Sequence, residues 1–428
     1  MARLRVGICA VGTELVLGDQ LDTNSAWLSS RMRQLGAEVV AHVSASDDLL
    51  ELVPALRWLA DRTDVVLVCG GLGPTQDDRT REAVAELAGV ELRSRPELEE
   101  ALVQRFAQLG RRMPPSNLRQ ARLPVGADAF SMQGTAPGFA LIASRTDGGS
   151  CWVACFPGVP WELEAMFDAD ALPVLLQRSG GGATVTRMLI VTAMAEASVG
   201  EALADLSARL DAHPDAELSY LAKKGEIHVR VTARAATPHE AADIAGPFID
   251  EAADILGHVV GARDGETLES ALLTLLAKRE QTVAIAESAT AGGVAARLAT
   301  VPGASQVLRG GLVLYATDTK AQFGGVDAEL LAKHGPVSVE VTEQLALSVR
   351  EKFGAHWGVA LTGVAGPAQQ NGQPVGHTIV AVAGPGGVVS QSGGYPGDRV
   401  SVQRRMTTFA LELLRREVLG ITPGDGAR

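Results

Sequence analysis

The sequence predicts an α/β protein composed of a doubly wound N-terminal domain, a small α+β module and a second α/β domain. Apolar strands alternate with segments of helical periodicity in the first and last parts of the chain. Two Gly-containing breaks, RSGGGAT (178–184) and VGARDGET (260–267), divide the chain into three parts. Because domains typically contain roughly 100–200 residues, a chain of 428 residues accommodates three of them.

Composition and charge narrow the functional classes. Hydrophobic residues make up 46% of the chain and aromatic residues 4%, which is typical of a soluble α/β protein with aliphatic cores. The net charge of −12 repels phosphate backbones and anionic membranes, and no dense Lys/Arg run offsets it. The first residues, MARLRVGICAVGTE, lack a signal-length apolar core, and no run of roughly 18 apolar residues follows. We therefore expect a cytoplasmic protein that binds neither nucleic acid nor membranes.

The four cysteines, Cys9, Cys69, Cys151 and Cys155, are too few in so long a chain for a disulfide framework. Cys151 and Cys155 fall on one face of a predicted strand. With no His or second Cys pair near them, buried thiols are favoured over metal ligands.

Each segment has its own predicted elements. The first, 1–175, has strands in LRVGICAVG, EVVAHVSAS and DVVLVCGG and helices near 24–35, 49–60 and 80–88, typical of a parallel sheet covered on both faces. The middle segment, 185–260, has strands in TRMLIVTAM, near 218–220 and in EIHVRVTAR, with helices near 198–210 and 238–256. The last, 266–420, has strands in TVAIA, GGLVLYA, WGVALTG and GHTIVAVAG, with helices near 268–278, from about 290, and near 339–353 and 400–419.

Two polar loops of the first segment are candidates for an anion and metal site. GTELVLGDQLDTNS (12–25) and CGGLGPTQDDRT (69–80) each follow an apolar strand, where open α/β sheets place ligands. Gly70, Gly71 and Gly73 would let backbone N–H groups approach an anion, next to a helix N-terminus. Asp77 and Asp78 could hold a divalent cation that bridges to a diphosphate.

The alternative for these loops is a tight turn with helix-capping acids, because Asp is favoured in the first turn of a helix. A second polar loop with Thr13, Glu14 and Asn24, and a third, GTAPGFA (134–140), fall at other turns of the same segment. The coincidence favours a ligand site.

The first segment resembles the competence/damage-inducible protein A (CinA) family. The resemblance rests on GTELVLGDQLDTN, GGLGPTQDD, RRMPPSN, GTAPGFAL and FPGVPWELEAMF. It implies a molybdopterin-binding-like fold and, as in some members, an ADP-ribose pyrophosphatase that uses Mg, Mn or Co. It places the metal at Asp47, Asp77 and Asp78, and lines the pocket with Thr13, Glu14, Asn24, Gly71, Gly73 and Asn117.

The middle segment of this family resembles the RNA-binding KH module. A nucleic-acid-binding KH module has a GXXG loop between helices, and this segment has none in that place. Lys223, Lys224 and Arg230 form the notable basic cluster, for which a solvated hairpin edge is the favoured interpretation. AMAEASVGE (193–201) replaces the family's Gly-Ile-Gly-Glu-Ser. We expect a connector or dimerisation role, and the family resemblance implies a homodimer.

Ser288, in AIAESATAGG (284–293), directly follows a predicted strand and precedes a helix start. Its position alone favours a helix N-cap. The alternative is an exposed nucleophile at a strand-to-helix turn, although the GxSxG spacing is absent. A serine nucleophile needs a base. None of the three histidines of the segment stands in an obvious Ser-His-Asp arrangement, whereas Lys320 could serve if burial lowers its pKa.

The last segment resembles the C-terminal domain of the same family, whose members include nicotinamide mononucleotide (NMN) deamidases. The resemblance rests on AESATAGGVAARL, VPGASQVLRGGLVLYATDTK, HGPVS, ALTGVAGP, PVGHTIVAVAG and YPGDR. It implies Ser288 as nucleophile and Lys320 as proton carrier, with Tyr315 and Thr362 completing the hydrogen-bond network. It assigns Arg399 to the substrate phosphate or carboxamide, with Arg404 and Arg405 nearby, and places Gly292 and Gly293 at the substrate.

This resemblance implies an NMN amidohydrolase acting in pyridine nucleotide recycling, with a metal-free amide step and oxyanion donors among the N–H groups of 290–293. The chain departs from the family at Ala289, Ala291 and the loop AQQNGQPVGH, where we expect His377 to alter substrate fit. The expected small-molecule partners are NMN and ADP-ribose. The alternative is a non-catalytic pterin- or nucleotide-binding protein linked to competence or DNA damage.

Overall fold

The chain folds into two compact units. A computed structural model describes residues 3–179, 182–223 and 225–421. One unit holds the residues up to Val185 together with Arg234–Ala241, and the other holds Thr186–Ala233 together with the residues from Ala242 onward. Most of the predicted middle module and the whole of the predicted last domain therefore belong to the same unit. Of the predicted features, Gly180 and Gly181 of the first break and Lys224 of the basic cluster lie outside the described residues.

The first unit begins with a mixed α/β region. Its elements are β1 (Arg5–Val11), α1 (Thr13–Leu17), α2 (Thr23–Gln34), β2 (Glu38–Ala45), α3 (Leu49–Ala60), β3 (Val65–Cys69), α4 (Thr80–Ala88), β4 (Leu92–Ser94), α5 (Pro96–Gln108), β5 (Arg122–Pro124), β6 (Asp128–Ala129), β7 (Phe139–Ser144), β8 (Ser150–Phe156), α6 (Pro160–Met166) and α7 (Leu172–Arg178). The predicted helix at 49–60 and the helix at 80–88 have the predicted bounds.

The sheet of this region is only partly parallel. Its strand order is β2-β1-β3-β8-β7-β6. The strands β2, β1, β3 and β8 pair in parallel, as predicted, but β7 pairs antiparallel with β8, and β6 antiparallel with β7. The antiparallel edge was not predicted, and it forms because a tight turn closed by Arg145 and Gly149 joins β7 directly to β8.

Both faces of this sheet are buried, as predicted for a doubly wound domain. In β1 the side chains of Cys9 and Val11 enter one apolar cluster with α3 and α4, while those of Val6 and Ile8 enter another with α2, α6 and α7. All four cysteines are buried and free. Cys151 and Cys155 fall in the same cluster, which confirms that they are buried thiols on one face.

The second unit begins with the small module. Its elements are β9 (Ala183–Val191), α8 (Glu196–Ala202), α9 (Ala204–Asp211), β10 (Ala216–Lys223), β11 (Glu226–Ala235), α10 (Pro238–Leu256) and β12 (Val260–Arg263). The sheet order is β10-β11-β9-β12. Two expectations were wrong: the helix near 198–210 is two helices that meet at Leu203, and the second break contains β12. This strand was missed because it is only four residues long and interrupted by Gly261.

The last domain of the second unit is again a three-layer α/β structure. Its elements are α11 (Leu268–Lys278), β13 (Val283–Glu287), α12 (Gly293–Ala299), β14 (Leu308–Val313), α13 (Thr317–Gln322), α14 (Ala328–His334), α15 (Val339–Lys352), β15 (Trp357–Gly363), β16 (His377–Gly384), β17 (Gly387–Gly394) and α16 (Arg399–Leu419). The strand order is β14-β13-β15-β16-β17, and β13 lies between β14 and β15 and is parallel to both.

Two apolar clusters cover the two faces of this last sheet. One joins the sheet to α11, α12 and α16, and the other joins it to α14 and α15. In the part of the chain that the structure describes, no helix combines the length and the apolar character that crossing a bilayer requires.

Candidate active site

A small cavity of the last domain lies at the carboxyl ends of its three parallel strands. Ser288 directly follows β13, Tyr315 is the second residue after β14, and Val364 directly follows β15. The volume of this cavity is about 140 Å³. The cavity is lined by Ser288, Ala289, Tyr315, Lys320, Pro336, Val337, Gly363, Val364, Ala365, Gly366, Ala368, Gln370 and Arg399. Four of the five residues predicted to be catalytic are therefore together; the fifth, Thr362, is not among the lining residues.

Ser288 and Lys320 are in direct contact in this cavity. The Nζ of Lys320 lies 3.1 Å from the Oγ of Ser288 and donates a second hydrogen bond, of 2.8 Å, to the carbonyl of Leu314. Leu314 directly follows β14, and its carbonyl therefore holds the Nζ of Lys320 close to the end of that strand. Lys320 itself lies in the short helix α13, which begins after the same strand.

Lys320 is a buried amine, and its environment lowers its affinity for a proton. Its side chain is only 2% exposed. Burial lowers the pKa of the Lys320 ammonium from 10.5 to about 8, and the nearby Asp318 carboxylate only partly opposes this shift. A fraction of the lysine is therefore neutral at physiological pH and can accept a proton.

Glu287, the last residue of β13, holds the turn that carries Ser288. Its side chain is buried and accepts four hydrogen bonds: from the Thr290 hydroxyl at 2.6 Å, from the N–H groups of Gly292 and Val294 at 3.0 Å each, and from that of Ala295 at 2.8 Å. The carboxylate thus satisfies N–H groups at the start of α12, which otherwise lack partners. The sequence signal that could have indicated this role of Glu287 is a glutamate between a buried strand and a Gly-containing turn.

The position of Glu287 overturns two expectations about Ser288. The N-cap residue of α12 is Gly292, with φ of 99°, and not Ser288. The N–H groups of Ala291, Gly292 and Gly293 already have acceptors within the turn, so the oxyanion donors expected at 290–293 are mostly committed. The reason is that β13 ends at Glu287, whose carboxylate accepts the N–H of Gly292, one of the groups of the turn that were expected to bind an oxyanion.

Arg399 and Tyr315 meet at the mouth of the cavity. One guanidinium nitrogen of Arg399 donates to the carbonyl of Gly366 at 2.5 Å, and another donates to the hydroxyl of Tyr315. Both side chains are exposed. The structure also separates Arg399 from its neighbours, because Arg404 lines a different cavity and Arg405 donates to the carbonyl of Pro396.

Several residues predicted for this site lie elsewhere. Thr362 is fully buried, its hydroxyl bonds to that of Thr342 at 2.7 Å, and it is not among the residues that line the cavity. Gly292 and Gly293 are not among the lining residues, and neither is His377, which begins β16. Motif position alone assigned Thr362 to the site, whereas its side chain on β15 faces α15, where it meets Thr342.

A second cavity, of about 380 Å³, lies in the first unit at the carboxyl ends of β1, β2, β3 and β8. The lining includes the predicted residues Glu14, Asp47, Gly71, Gly73, Asp77 and Asp78. Open α/β sheets bind ligands at this edge, and the sequence-based placement of both polar loops there is confirmed. We call this the carboxylate cavity.

The glycine loop of this cavity is closed by its own aspartate. The carboxylate of Asp78 accepts from the N–H of Gly73 at 2.7 Å and from the N–H of Thr75 at 2.9 Å. Buried Arg81 donates to the carbonyls of Leu72 and Gly73 at 2.8 Å each. The N–H of Gly73 is therefore not free for an external anion, contrary to the expectation, because a side chain of the same loop takes that place.

Three residues predicted to line this cavity support it from outside the lining. Thr13 donates through its N–H and its hydroxyl to Asp47, at 2.9 and 2.7 Å. Asn24 donates to the carbonyl of Gly158 at 2.8 Å. Asn117 is buried and donates to Gln120, which in turn reaches the carbonyl of Leu72 and does line the cavity.

The carboxylates only partly fit a divalent metal. Asp47, Asp77 and Asp78 line one cavity, but within residues 3–179, 182–223 and 225–421 no three His, Cys, Asp or Glu side chains are close enough to hold one ion. Hydrogen bonds hold Asp47 to Thr13 and Asp78 to its own loop. The expected three-aspartate metal site is therefore not preformed, and an ion would need further oxygen ligands from a diphosphate.

Glu162 is an additional acid that the sequence reasoning missed. It lies in the first turn of α6, lines the carboxylate cavity and is 9% exposed. Burial raises the pKa of Glu162 above its usual value, and Arg105 opposes the shift. A Cβ at Gly134 would lie 2.1 Å from the Glu162 carboxyl, so the GTAPGFA loop requires glycine to pass this side chain.

The fold and the two cavities define a multidomain α/β protein with a molybdopterin-binding-like first domain and a serine-lysine site in its last domain. Three family models match: "Probable molybdopterin binding domain" at residues 7–177, "Damage-inducible protein CinA KH domain" at 186–260, and "CinA C-terminal domain" at 265–418.

Full-length relatives agree with these matches. A CinA-like protein of Frankia casuarinae is 43% identical over 99% of this chain and 100% of its own length. A putative competence-damage inducible protein of Symbiobacterium thermophilum is 38% identical over 96% and 98%. A solved CinA of unknown function from Thermoplasma acidophilum is 29% identical over 40% of this chain and 98% of its own, with a TM-score of 0.36. The chain belongs to the CinA family.

The turn at Ser288 should open when the Glu287 charge is removed. In Glu287→Gln the amide end of the side chain cannot accept from all four donors. We expect the local opening free energy of residues 288–299 to fall by about 1–3 kcal/mol, which corresponds to roughly a fivefold to hundredfold increase in amide exchange. Hydrogen exchange followed by mass spectrometry measures it. Glu280→Gln, at an exposed position before β13, is the matched control. Unchanged exchange in Glu287→Gln would contradict the assigned role.

Proposed function

We propose that the last domain is an amidohydrolase that converts NMN to nicotinate mononucleotide and ammonia. The observation that carries the proposal is the contact of 3.1 Å between the hydroxyl of Ser288 and the buried amine of Lys320. Relatives named CinA-like or competence-damage inducible support the family but name no reaction. The substrate assignment rests on the motif resemblance described above.

The first half of the reaction uses the neutral form of Lys320. The Oγ of Ser288 attacks the carboxamide carbon, and its proton passes to the Nζ of Lys320. The resulting ammonium then gives this proton to the carboxamide nitrogen. The C–N bond breaks, ammonia leaves, and an ester remains between the substrate acyl group and Ser288. The bond from Nζ to the carbonyl of Leu314 is available in both protonation states of the lysine and keeps its head in place.

The second half returns the enzyme to its starting state. Neutral Lys320 takes a proton from a water molecule that attacks the ester carbon. The Ser288 oxygen leaves and recovers a proton from Lys320, releasing nicotinate mononucleotide. The N–H of Ala289, a cavity-lining residue, has no hydrogen-bond acceptor in the described residues and is our candidate oxyanion donor.

The size of the cavity indicates how the substrate is placed. About 140 Å³ is well below the roughly 300–1,000 Å³ of a site that encloses a whole ligand. The cavity therefore takes the carboxamide ring, and the ribose phosphate lies at the mouth. Exposed Arg399 stands there, which favours the phosphate over the carboxamide as its partner.

Removing either member of the pair should abolish the reaction. For Ser288→Ala and for Lys320→Met we expect ammonia release from NMN to fall by about a thousandfold or more, because neither residue works without the other. A coupled ammonia assay with the purified chain measures it. Ser305→Ala and Lys333→Met, at exposed positions of the same domain, are the matched controls. Equal rates in the variants and the wild type, or no turnover in any of them, would overturn the proposal.

The reaction should become faster as the pH rises through about 8. The pKa of Lys320 is lowered to about 8, so the neutral base is about a tenth of the enzyme at pH 7 and about nine tenths at pH 9. We expect kcat/KM for NMN to rise roughly tenfold per pH unit below the inflection and to level off above it. A flat profile between pH 6.5 and 9 would show that Lys320 does not act as the base.

We further propose that the first unit cleaves ADP-ribose to AMP and ribose 5-phosphate. The specific observation is that five acidic residues line the carboxylate cavity at the ligand-binding edge of the sheet: Glu14, Asp47, Asp77, Asp78 and Glu162. Asp77 is exposed, and we assign it to a divalent ion that the diphosphate helps to hold. When bound, such an ion would polarise the phosphoryl oxygens. Asp78 maintains the loop, and Glu162 holds a proton more readily than an ordinary glutamate.

AMP formation from ADP-ribose should depend on a divalent ion and on Asp77. We expect chelator to abolish it and Asp77→Asn to lower it by roughly tenfold or more, because a ligand charge is lost. Asp78→Asn should lower it too, while also speeding amide exchange at Gly73 and Thr75. Glu86→Gln, at an exposed position of α4, is the control. Tight pterin binding without turnover of either substrate would instead favour a non-catalytic binding protein.

A further inference from the structure

A third cavity, which lies in the second unit, is larger than the Ser288 cavity and has no role in the reactions described above. Its volume is about 690 Å³, within the roughly 300–1,000 Å³ range of small-molecule sites. The β10–β11 hairpin of the small module forms one wall, and α12 and α16 of the last domain form the others. The cavity is lined by Lys223, Glu226, Thr290, Gly293, Arg297, Val400, Gln403, Arg404, Thr407 and Thr408. We call it the hairpin cavity.

The fixed wall of the hairpin cavity is an ion-pair network that joins the module to the domain. Arg297 of α12 donates to Glu226 of the hairpin, to Glu269 at 2.9 Å and to the hydroxyl of Thr408 at 2.8 Å. Gly225, at the hairpin tip, has φ of 91°, and a Cβ there would lie 3.0 Å from the Cβ of Thr408. Arg297 therefore faces the carboxylates of Glu226 and Glu269, and all three side chains are committed to the wall.

Two cations of the hairpin cavity remain uncommitted. Lys223 and Arg404 are exposed, and the side chain of neither makes a hydrogen bond or ion pair within residues 3–179, 182–223 and 225–421. In a chain with a net charge of −12, two unpaired cations in one cavity select for an anion. The exposed side chain of Val400 offers an apolar surface beside them. The cavity could therefore bind a ligand that combines an anionic group with a partly apolar organic part.

We propose that the hairpin cavity is a second ligand site, which takes a phosphate monoester carried on an organic body of nucleotide size. Arg404 and Lys223 bind the phosphate, as paired cations commonly do. The organic body lies along Val400 and the threonine side chains. The volume admits a mononucleotide and is far larger than inorganic phosphate needs.

The occupant of this site would act directly on the turn that holds Ser288. Gln403 lines the hairpin cavity and donates at 2.7 Å to the carbonyl of Ala289, the residue next to Ser288. Thr290 also lines the cavity and donates to Glu287. The turn thus separates two cavities and contacts both. A bound ligand stabilises the turn, and its effect on amide hydrolysis rests on the function proposed for Ser288.

Binding is tested by calorimetric titration of the full chain with AMP, in chelator so that metal-dependent binding in the first unit is suppressed. We expect one site, with affinity about tenfold or more weaker in Arg404→Ala and weaker again when Lys223→Ala is added. Arg405→Ala, the adjacent arginine of α16, should bind as the wild type does. Adenosine should bind far more weakly than AMP, and comparison with ribose 5-phosphate and inorganic phosphate shows which body the site selects.

The location is tested with the catalytic variants. Ser288→Ala and Arg399→Ala should retain AMP binding, because both residues line the other cavity. AMP should also slow amide exchange of residues 288–299 in Ser288→Ala, a readout that needs no deamidase activity. The proposal is overturned if AMP does not bind at millimolar concentration, if Arg404→Ala binds it normally, or if only Arg399→Ala loses it. Failure of NMN turnover in the wild type would leave these binding results standing.

Discussion

The buried carboxylate of Glu287 is the interaction on which the geometry of the last domain depends. A charged group at 2% exposure is unfavourable unless it is fully hydrogen-bonded, and here four donors from the following turn and helix surround it. The carboxylate joins the end of β13 to the start of α12. Ser288, the next residue, therefore has little freedom, and Lys320 can reach it from the neighbouring strand end.

In the first unit, too, a carboxylate accepts the backbone N–H groups of its own loop. Asp78 accepts the N–H groups of Gly73 and Thr75, as Glu287 accepts those of its own turn. In both places a glycine-containing loop has N–H groups that would be unstable without an acceptor. A carboxylate side chain in or next to the same loop is that acceptor. The glycines are needed for close approach of the chain to itself: a Cβ at Gly73 would lie 2.4 Å from Asp78, and one at Gly70 would lie 2.3 Å from the carbonyl of Val11. External ligands must then bind beside these loops rather than inside them.

Sequence reasoning predicts the elements of this fold well and the fine geometry of its sites poorly. The helices at 49–60, 238–256 and 268–278 have the predicted bounds, because apolar periodicity and terminal signals agree there. The antiparallel edge of the first sheet and β12 were missed, because strand pairing is a long-range property and short edge strands leave a weak pattern. Ser288, Lys320, Tyr315 and Arg399 lie together as the motifs indicated. Thr362, Gly292 and Gly293 do not, because motif membership does not report the direction of a side chain.

The hydroxyl of Ser288 and the amine of Lys320 form the centre of the proposed chemistry, and the covalent intermediate is its most direct test. Wild-type chain is mixed with NMN, quenched in acid within milliseconds, digested with trypsin and analysed by mass spectrometry. We expect the nicotinate mononucleotide acyl group as an ester on the peptide that follows Arg279 and ends at Arg297, and we expect no such ester in Ser288→Ala. An acyl group on another peptide, or an early burst of ammonia with no acylated peptide, would contradict Ser288 as the nucleophile.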